Sequence, residues 1–316
     1  MRRSLWVAVA ALAAPTAATA QWRVAAPSAA VAWFAAVDSL RLPGRGAFPF
    51  TRTAGAPSTA LGRRLAAGSR FDILHFVPLY YPSASQDALA DAVVDAAERH
   101  APRAPRARFV VGALEQAVPN AADRQALVEV AALARRLTPP SPTAAQLAGW
   151  QDAWTRRFAA PLAPFLAGER LDGGALWIIP SLGAEGRVFA GVPADRFDNI
   201  IAVGTPFRPG DDDGPLFAAV RELCFPLVSR VADGSAAFAR GVRDAGDAAR
   251  RTSVAAVRCG ADLLERLAPQ ETPGYRAHWL LVASARPEVP FDVVFPQDPV
   301  LNAPLRSALP EFSRAK

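Results

Sequence analysis

The sequence predicts an α+β fold, with an N-terminal α/β portion built on a short-strand sheet and a mainly helical C-terminal half. Three observations predict it. Several stretches repeat apolar residues every three or four positions behind a capping residue, the signature of amphipathic helices. Short runs of branched and aromatic residues bounded by Gly or Pro read as strands. Between them, Thr138-Pro139-Pro140-Ser141-Pro142 cannot continue a helix and marks a linker, which sets an N-terminal portion at 21–138 apart from a C-terminal portion at 143–316.

Residues 1–20 read as a signal peptide. Arg2 and Arg3 give the positive head, Leu5 to Ala14 a short apolar core, and Ala18-Thr19-Ala20 a small-x-small cleavage site. The expectation is an exported chain, periplasmic or secreted. No later stretch approaches the roughly 18 to 20 uninterrupted apolar residues that a membrane helix requires.

Trp22 to Ala25 opens the N-terminal portion, followed by an apolar stretch to Leu42 and a Gly/Pro/Thr-rich loop around 44–58. Phe71 to Tyr81 (FDILHFVPLYY) reads as a buried strand and Arg108 to Leu114 as a second. Ser85 caps a helix reaching about Arg99, and Asn120 caps another reaching Leu137. After the linker, Thr143 caps a helix with Leu147, Trp150, Trp154 and Phe158 on one stripe, interrupted near Pro161 and Pro164. Ala175 to Leu182, Arg187 to Val192 and Asn199 to Val203 suggest an antiparallel meander of short strands. Asp211 to Asp213 then precede a helix with Pro215 at its start, bearing Leu216, Val220, Leu223, Leu227 and Val231, and bent at Pro226. A further helix spans about Ala248 to Leu267, and His278 to Ser284 and Phe291 to Phe295 are short apolar segments.

The chain has 35 basic and 29 acidic residues, a net charge of +6. Loss of Arg2 and Arg3 with the leader lowers this to +4. The arginines alternate with acids and form no basic stripe with interleaved aromatics, which argues against a nucleic-acid partner. Two cysteines, Cys224 and Cys259, follow the leader; in an oxidising compartment the expectation is one disulfide between them, two buried free thiols being the alternative.

The helix containing Val220-Arg221-Glu222-Leu223-Cys224-Phe225 carries the chemistry. A zincin bears His-Glu-x-x-His on such a helix, with both imidazoles on one face to hold zinc and the Glu to activate water. Here Arg221 and Phe225 stand at the histidine positions and Glu222 at the acid. Arginine has no lone pair to donate and phenylalanine no donor atom, so neither can ligate a metal. The order of short strands, motif helix and second helix over about 174–267 resembles a group of exported bacterial, gluzincin-like metallopeptidase domains. The resemblance implies a zincin-like C-terminal portion in which Asp262 aligns with the third, acidic ligand. An antiparallel pairing that brings Cys224 to Cys259 sets Arg221 opposite Asp262, so one expectation is an Arg221–Asp262 ion pair in place of the metal; two surface charges on amphipathic helices is the other. Glu222 is either a remnant general base or an ordinary helix carboxylate paired with an arginine.

His75 reads as a hydrogen-bonded core residue and His100 as a cation at a helix C-terminus. His278 lies beside Tyr275 and Trp279, and no two histidines have ligand spacing. Ser181 lacks the Gly-x-Ser-x-Gly elbow and reads as a turn serine. Asp211 to Asp213 lack EF-hand spacing, Gly183 to Gly186 form a turn, and Trp150 with Trp154 form a core stripe. The expected function is an exported, zincin-like protein without its zinc ligands and without metal or cofactor, with peptide or protein as the candidate ligand of the former cleft. The alternatives are a hydrolase with an unrecognised site and a structural cell-envelope protein.

Overall fold

A computed structural model describes residues 22–41, 59–67, 71–171, 173–189, 199–206, 208–286 and 288–309. The leader at 1–20 and the expected loop around 44–58 lie outside the described residues. The fold is α+β, with one four-stranded sheet among many helices.

The N-terminal part is helical apart from its first strand, β1 (Trp22–Ala25). It contains α1 (Ser28–Ser39), α2 (Ala60–Ala67), a 3-10 turn (Phe71–His75) running into α3 (Val77–Tyr80), α4 (Gln86–Glu98), α5 (Ala107–Ala117) and α6 (Ala121–Arg136). Two expected strands are therefore helical. In FDILHFVPLYY, Phe71, Leu74 and Val77 recur every third residue and are all buried, a helical stripe hidden among other apolar residues. In α5, Ala107, Val110, Val111 and Leu114 line one face, the i, i+3, i+4, i+7 pattern. The caps fall where the sequence sets them. Ser85 Oγ accepts from Ala88 N at 3.1 Å, and Asn120 Oδ1 from Ala122 N at 2.9 Å, each satisfying a donor that the first turn leaves over.

Residues 137–143, without regular structure, lead to α7 (Ala144–Ala153), started by a capping box between Thr143 and Gln146. The helix does not break at Pro161. It passes through a π-helical turn, Trp154–Ala159, into α8 (Ala160–Gly168), which carries Pro161 in its first turn and Pro164 inside it. Then come β2 (Gly174–Ile178), β3 (Gly186–Phe189), β4 (Asn199–Val203), α9 (Gly214–Asp233), α10 (Ala236–Gly241), α11 (Ala245–Leu267), α12 (Thr272–Val282), α13 (Phe291–Val294) and α14 (Asn302–Ala308). His278 to Val282 and Phe291 to Val294 are helical.

The sheet order is β1-β2-β4-β3, with β1–β2 and β2–β4 parallel and only β3–β4 antiparallel, so the expected meander is a mixed sheet. Its central strands are buried on both faces, which explains their unbroken apolar sequence. Leu176, Ile178, Ile201 and Val203 pack with α9, while Trp177, Ile179, Ile200 and Ala202 pack with α1 and α3. The outer edge of β1 is closed by one side chain: Gln151 Oε1 accepts from Val24 N at 2.8 Å and Gln151 Nε2 donates to Trp22 O at 3.0 Å. β3 forms the opposite edge. No helix of the described residues is long and apolar enough to cross a membrane.

Candidate functional site

The site lies where α9 passes beneath β3. Period-two alternation sends Gly186 and Val188 toward α9 and Arg187 and Phe189 toward α3, where Tyr80 meets Phe189 edge-on at 5.7 Å. Gly186 is the closest approach. A Cβ there would stand 2.5 Å from Glu222 Cγ and 2.6 Å from Cδ, so only glycine lets the strand lie on that carboxylate.

Arg221 and Glu222 are 2% and 3% exposed. Arg221 Nη1 donates to Glu222 Oε1, and Nη2 donates to Ser253 Oγ of α11 at 2.7 Å. The guanidinium lies 5.1 Å from the ring centroid of Phe225 and 5.7 Å from that of Trp279, between two aromatic faces. Burial pushes the Glu222 carboxyl above its usual range. The guanidinium groups of Arg221 and Arg187 oppose that shift, and Glu185 adds to it. On the far face of β3, Arg187 Nη1 donates to Gly186 O at 2.7 Å and Nη2 to Glu185 Oε2 at 2.8 Å. Burial, helped by Arg187, lowers the pKa of His75 to about 3, so this imidazole is neutral.

The expected Arg221–Asp262 pair is not formed. Asp262 accepts from Arg306 Nε at 3.2 Å. α9 and α11 do run antiparallel, since Arg157 is gripped both by Asp213 at the head of α9 and by Glu271 beyond the tail of α11. Arg221, however, turns along its own helix toward Phe225 and reaches Ser253, away from Asp262. Ser253 and Arg187, single polar residues in apolar surroundings, carry no local sequence signal. Cys224 and Cys259 lie on the facing helices α9 and α11, in the same core cluster. Both are buried and free in this structure.

The remaining candidates serve the fold. Asp211 faces His278 Nδ1 at 3.0 and 3.1 Å, Asp212 O accepts from Trp150 Nε1 at 2.9 Å, and Asp213 pairs with Arg157. The acidic run thus fastens the start of α9 to α7 and α12. Trp154 stacks on Phe158 in the core. Ser181 sits in the 3-10 turn Pro180–Leu182 after β2, Gly183 takes φ 57 beyond it, and His100 is exposed beyond the end of α4, 3.2 Å from Glu98. No group of three His, Cys, Asp or Glu able to hold a metal ion occurs among the described residues.

Chemically, a carboxylate sealed between a strand backbone and a fixed cation can neither contact a substrate nor polarise a water molecule. Beside it, β3 is an edge strand that pairs with β4 alone among the described residues. No protein-family model, curated protein or solved structure matches this chain.

Proposed function

We propose that this chain is an exported, zincin-like protein that binds an extended peptide along the outer edge of β3 and does not cleave it. The observation that carries this reading is the contact of Gly186 with a buried, Arg221-paired Glu222. On the zincin-like reading, the edge strand lies over the position where such a protein would activate water, and a charge pair fills it. An edge strand with one partner presents backbone donors and acceptors to a further strand, and a peptide adds to such an edge through main-chain bonds. β3 has β4 as its single sheet partner among the described residues.

Hydrogen–deuterium exchange on the purified protein, with and without reduced, carboxymethylated casein, tests this. The expected result is slower exchange of amides in 186–189 when the unfolded substrate is added, with the casein left intact. Protection confined to other segments, or none, contradicts it.

A second reading, a hydrolase with another site, rests on the Asp211–His278 pair. A carboxylate holds the imidazole Nδ1, and His278 Nε2 has no hydrogen-bond partner, the arrangement of a general base. His278 is 5% exposed and walled by Phe217 and Trp279 at ring distances of 5.9 and 5.0 Å, which closes it to a substrate. Hydrolysis of a p-nitrophenyl ester that is lost in His278→Ala but kept in the double variant Arg221→Met with Glu222→Leu would favour this second reading.

A further inference from the structure

The geometry points to an oxidative modification site at Cys224 and Cys259: a disulfide that forms while α9 and α11 are still apart, and which the finished fold then seals. The two thiols lie in one buried core cluster on the antiparallel helices α9 and α11, whose register from Asp213 against Glu271 sets 224 opposite 259–260, and are 0% and 1% exposed. They are the only cysteines in the chain, so the pairing has no intramolecular competitor. Neither sulfur can be reached from solvent once Leu223, Leu227, Leu263 and Tyr275 have closed around the helix pair, all of them at most 1% exposed.

The co-reactant is a small-molecule or protein disulfide. One cysteine thiolate attacks a sulfur of that disulfide, giving a mixed disulfide and releasing the first reduced thiol. The second cysteine thiolate then displaces the second reduced thiol and closes the Cys224–Cys259 bond. Two electrons pass from the protein thiols to the incoming disulfide, and the two protons end on its two product thiols. Each attack needs a thiolate. Burial raises the Cys224 pKa well above that of a free thiol, so the packed protein is inert where the open chain is reactive. Export, as the leader predicts, would bring the open chain to such an oxidant during folding.

Pro226 gives the pair a weak point. Two residues beyond Cys224, it lacks the N–H that would bond the Glu222 carbonyl, so α9 has one fewer rung beside the thiol.

The test uses the full chain and oxidised glutathione. Denatured, reduced protein is diluted into refolding buffer containing the oxidant, and thiols are counted with Ellman's reagent in guanidinium. The expected result is loss of both thiols in a monomer lighter by two hydrogens, with a tryptic peptide pair linking 224 to 259. Folded, reduced protein given the same oxidant should keep its thiols at least about 100-fold longer, because native opening limits the reaction. A refolded monomer that retains two thiols, or carries glutathione on both, overturns the proposal. Equal oxidation rates for folded and refolding chains overturn the sealing. The Cys259→Ala variant should stop at one mixed disulfide. Casein protection of β3 is read separately, so failure of either result leaves the other standing.

Discussion

The backbone of Gly186 in β3 rests on the carboxylate of Glu222 in α9, and a methyl group at that glycine would stand 2.5 Å from Glu222 Cγ. Strand and helix are in register because one residue has no side chain and the other is fixed by Arg221. Substituting Gly186→Ala should therefore cost about 1–3 kcal/mol, the usual penalty of overpacking. Glu222 cannot swing away without breaking its ion pair. Urea unfolding checks this, and Gly186→Ala combined with Glu222→Ala should cost less than the two single changes added together.

Arg221→Met removes the cation from a carboxylate that is 3% exposed. Leaving a buried charge without its partner costs about 3–5 kcal/mol, whereas replacing both members with apolar residues can be neutral. The single variant should be strongly destabilised, and Arg221→Met with Glu222→Leu should recover most of the loss. The effect has a pH signature. Burial already raises the Glu222 pKa, and without Arg221 it rises further. A folded state that binds the extra proton loses stability as pH rises through the folded pKa. The Arg221→Met deficit should therefore be larger at pH 8 than at pH 5 in parallel denaturant titrations.

His75 gives the opposite slope. Its folded pKa of about 3 lies below the ordinary 6.5, so between those values the unfolded chain binds more protons than the native one. Stability should fall as pH drops from about 6.5 toward 3, by up to about 1.4 kcal/mol per pH unit from this residue. His75→Gln should remove that share of the slope. Equal slopes for variant and parent between pH 6.5 and 5 would show that the imidazole is not held neutral.

Gln151→Ala opens the edge of β1. It strips partners from Val24 N and Trp22 O, two bonds at 2.8 and 3.0 Å, and should cost about 1–2 kcal/mol. Denaturation gives the stability change. Light scattering on warming should also show earlier association, because an unpaired strand edge is a template for another chain.

Much of this architecture was legible wherever local chemistry decides it. Ser85, Asn120 and Thr143 start the helices they announce, because a side-chain oxygen that satisfies an orphan N–H is a purely local event. β4 coincides with its expected span, and of the α9 stripe Leu216, Val220, Leu223 and Leu227 are buried and Val231 is partly buried. The segments 71–81 and 108–114 misled because aromatic and branched residues score as strand while their burial repeats every three or four positions; a short apolar run does not separate the two periods. Strand order depends on contacts far apart in sequence, such as β1 with β2, and leaves no local mark. At the site, the sequence reads Glu222 as a remnant base or as a helix carboxylate beside an arginine; in the structure its partner is the adjacent Arg221, and the burial of both left no local mark. Asp262 does not join them, because the direction taken by a long, flexible arginine is set by Phe225, Trp279 and Ser253 together.

The central claim is that Glu222 is a sealed charge partner and not a general base. Casein digestion with added zinc, by the parent chain and by Glu222→Gln side by side with elemental analysis of both proteins, addresses it most directly. Intact casein is expected in both reactions, with no stoichiometric zinc in either protein. One zinc per chain together with cleavage that disappears in Glu222→Gln would contradict it.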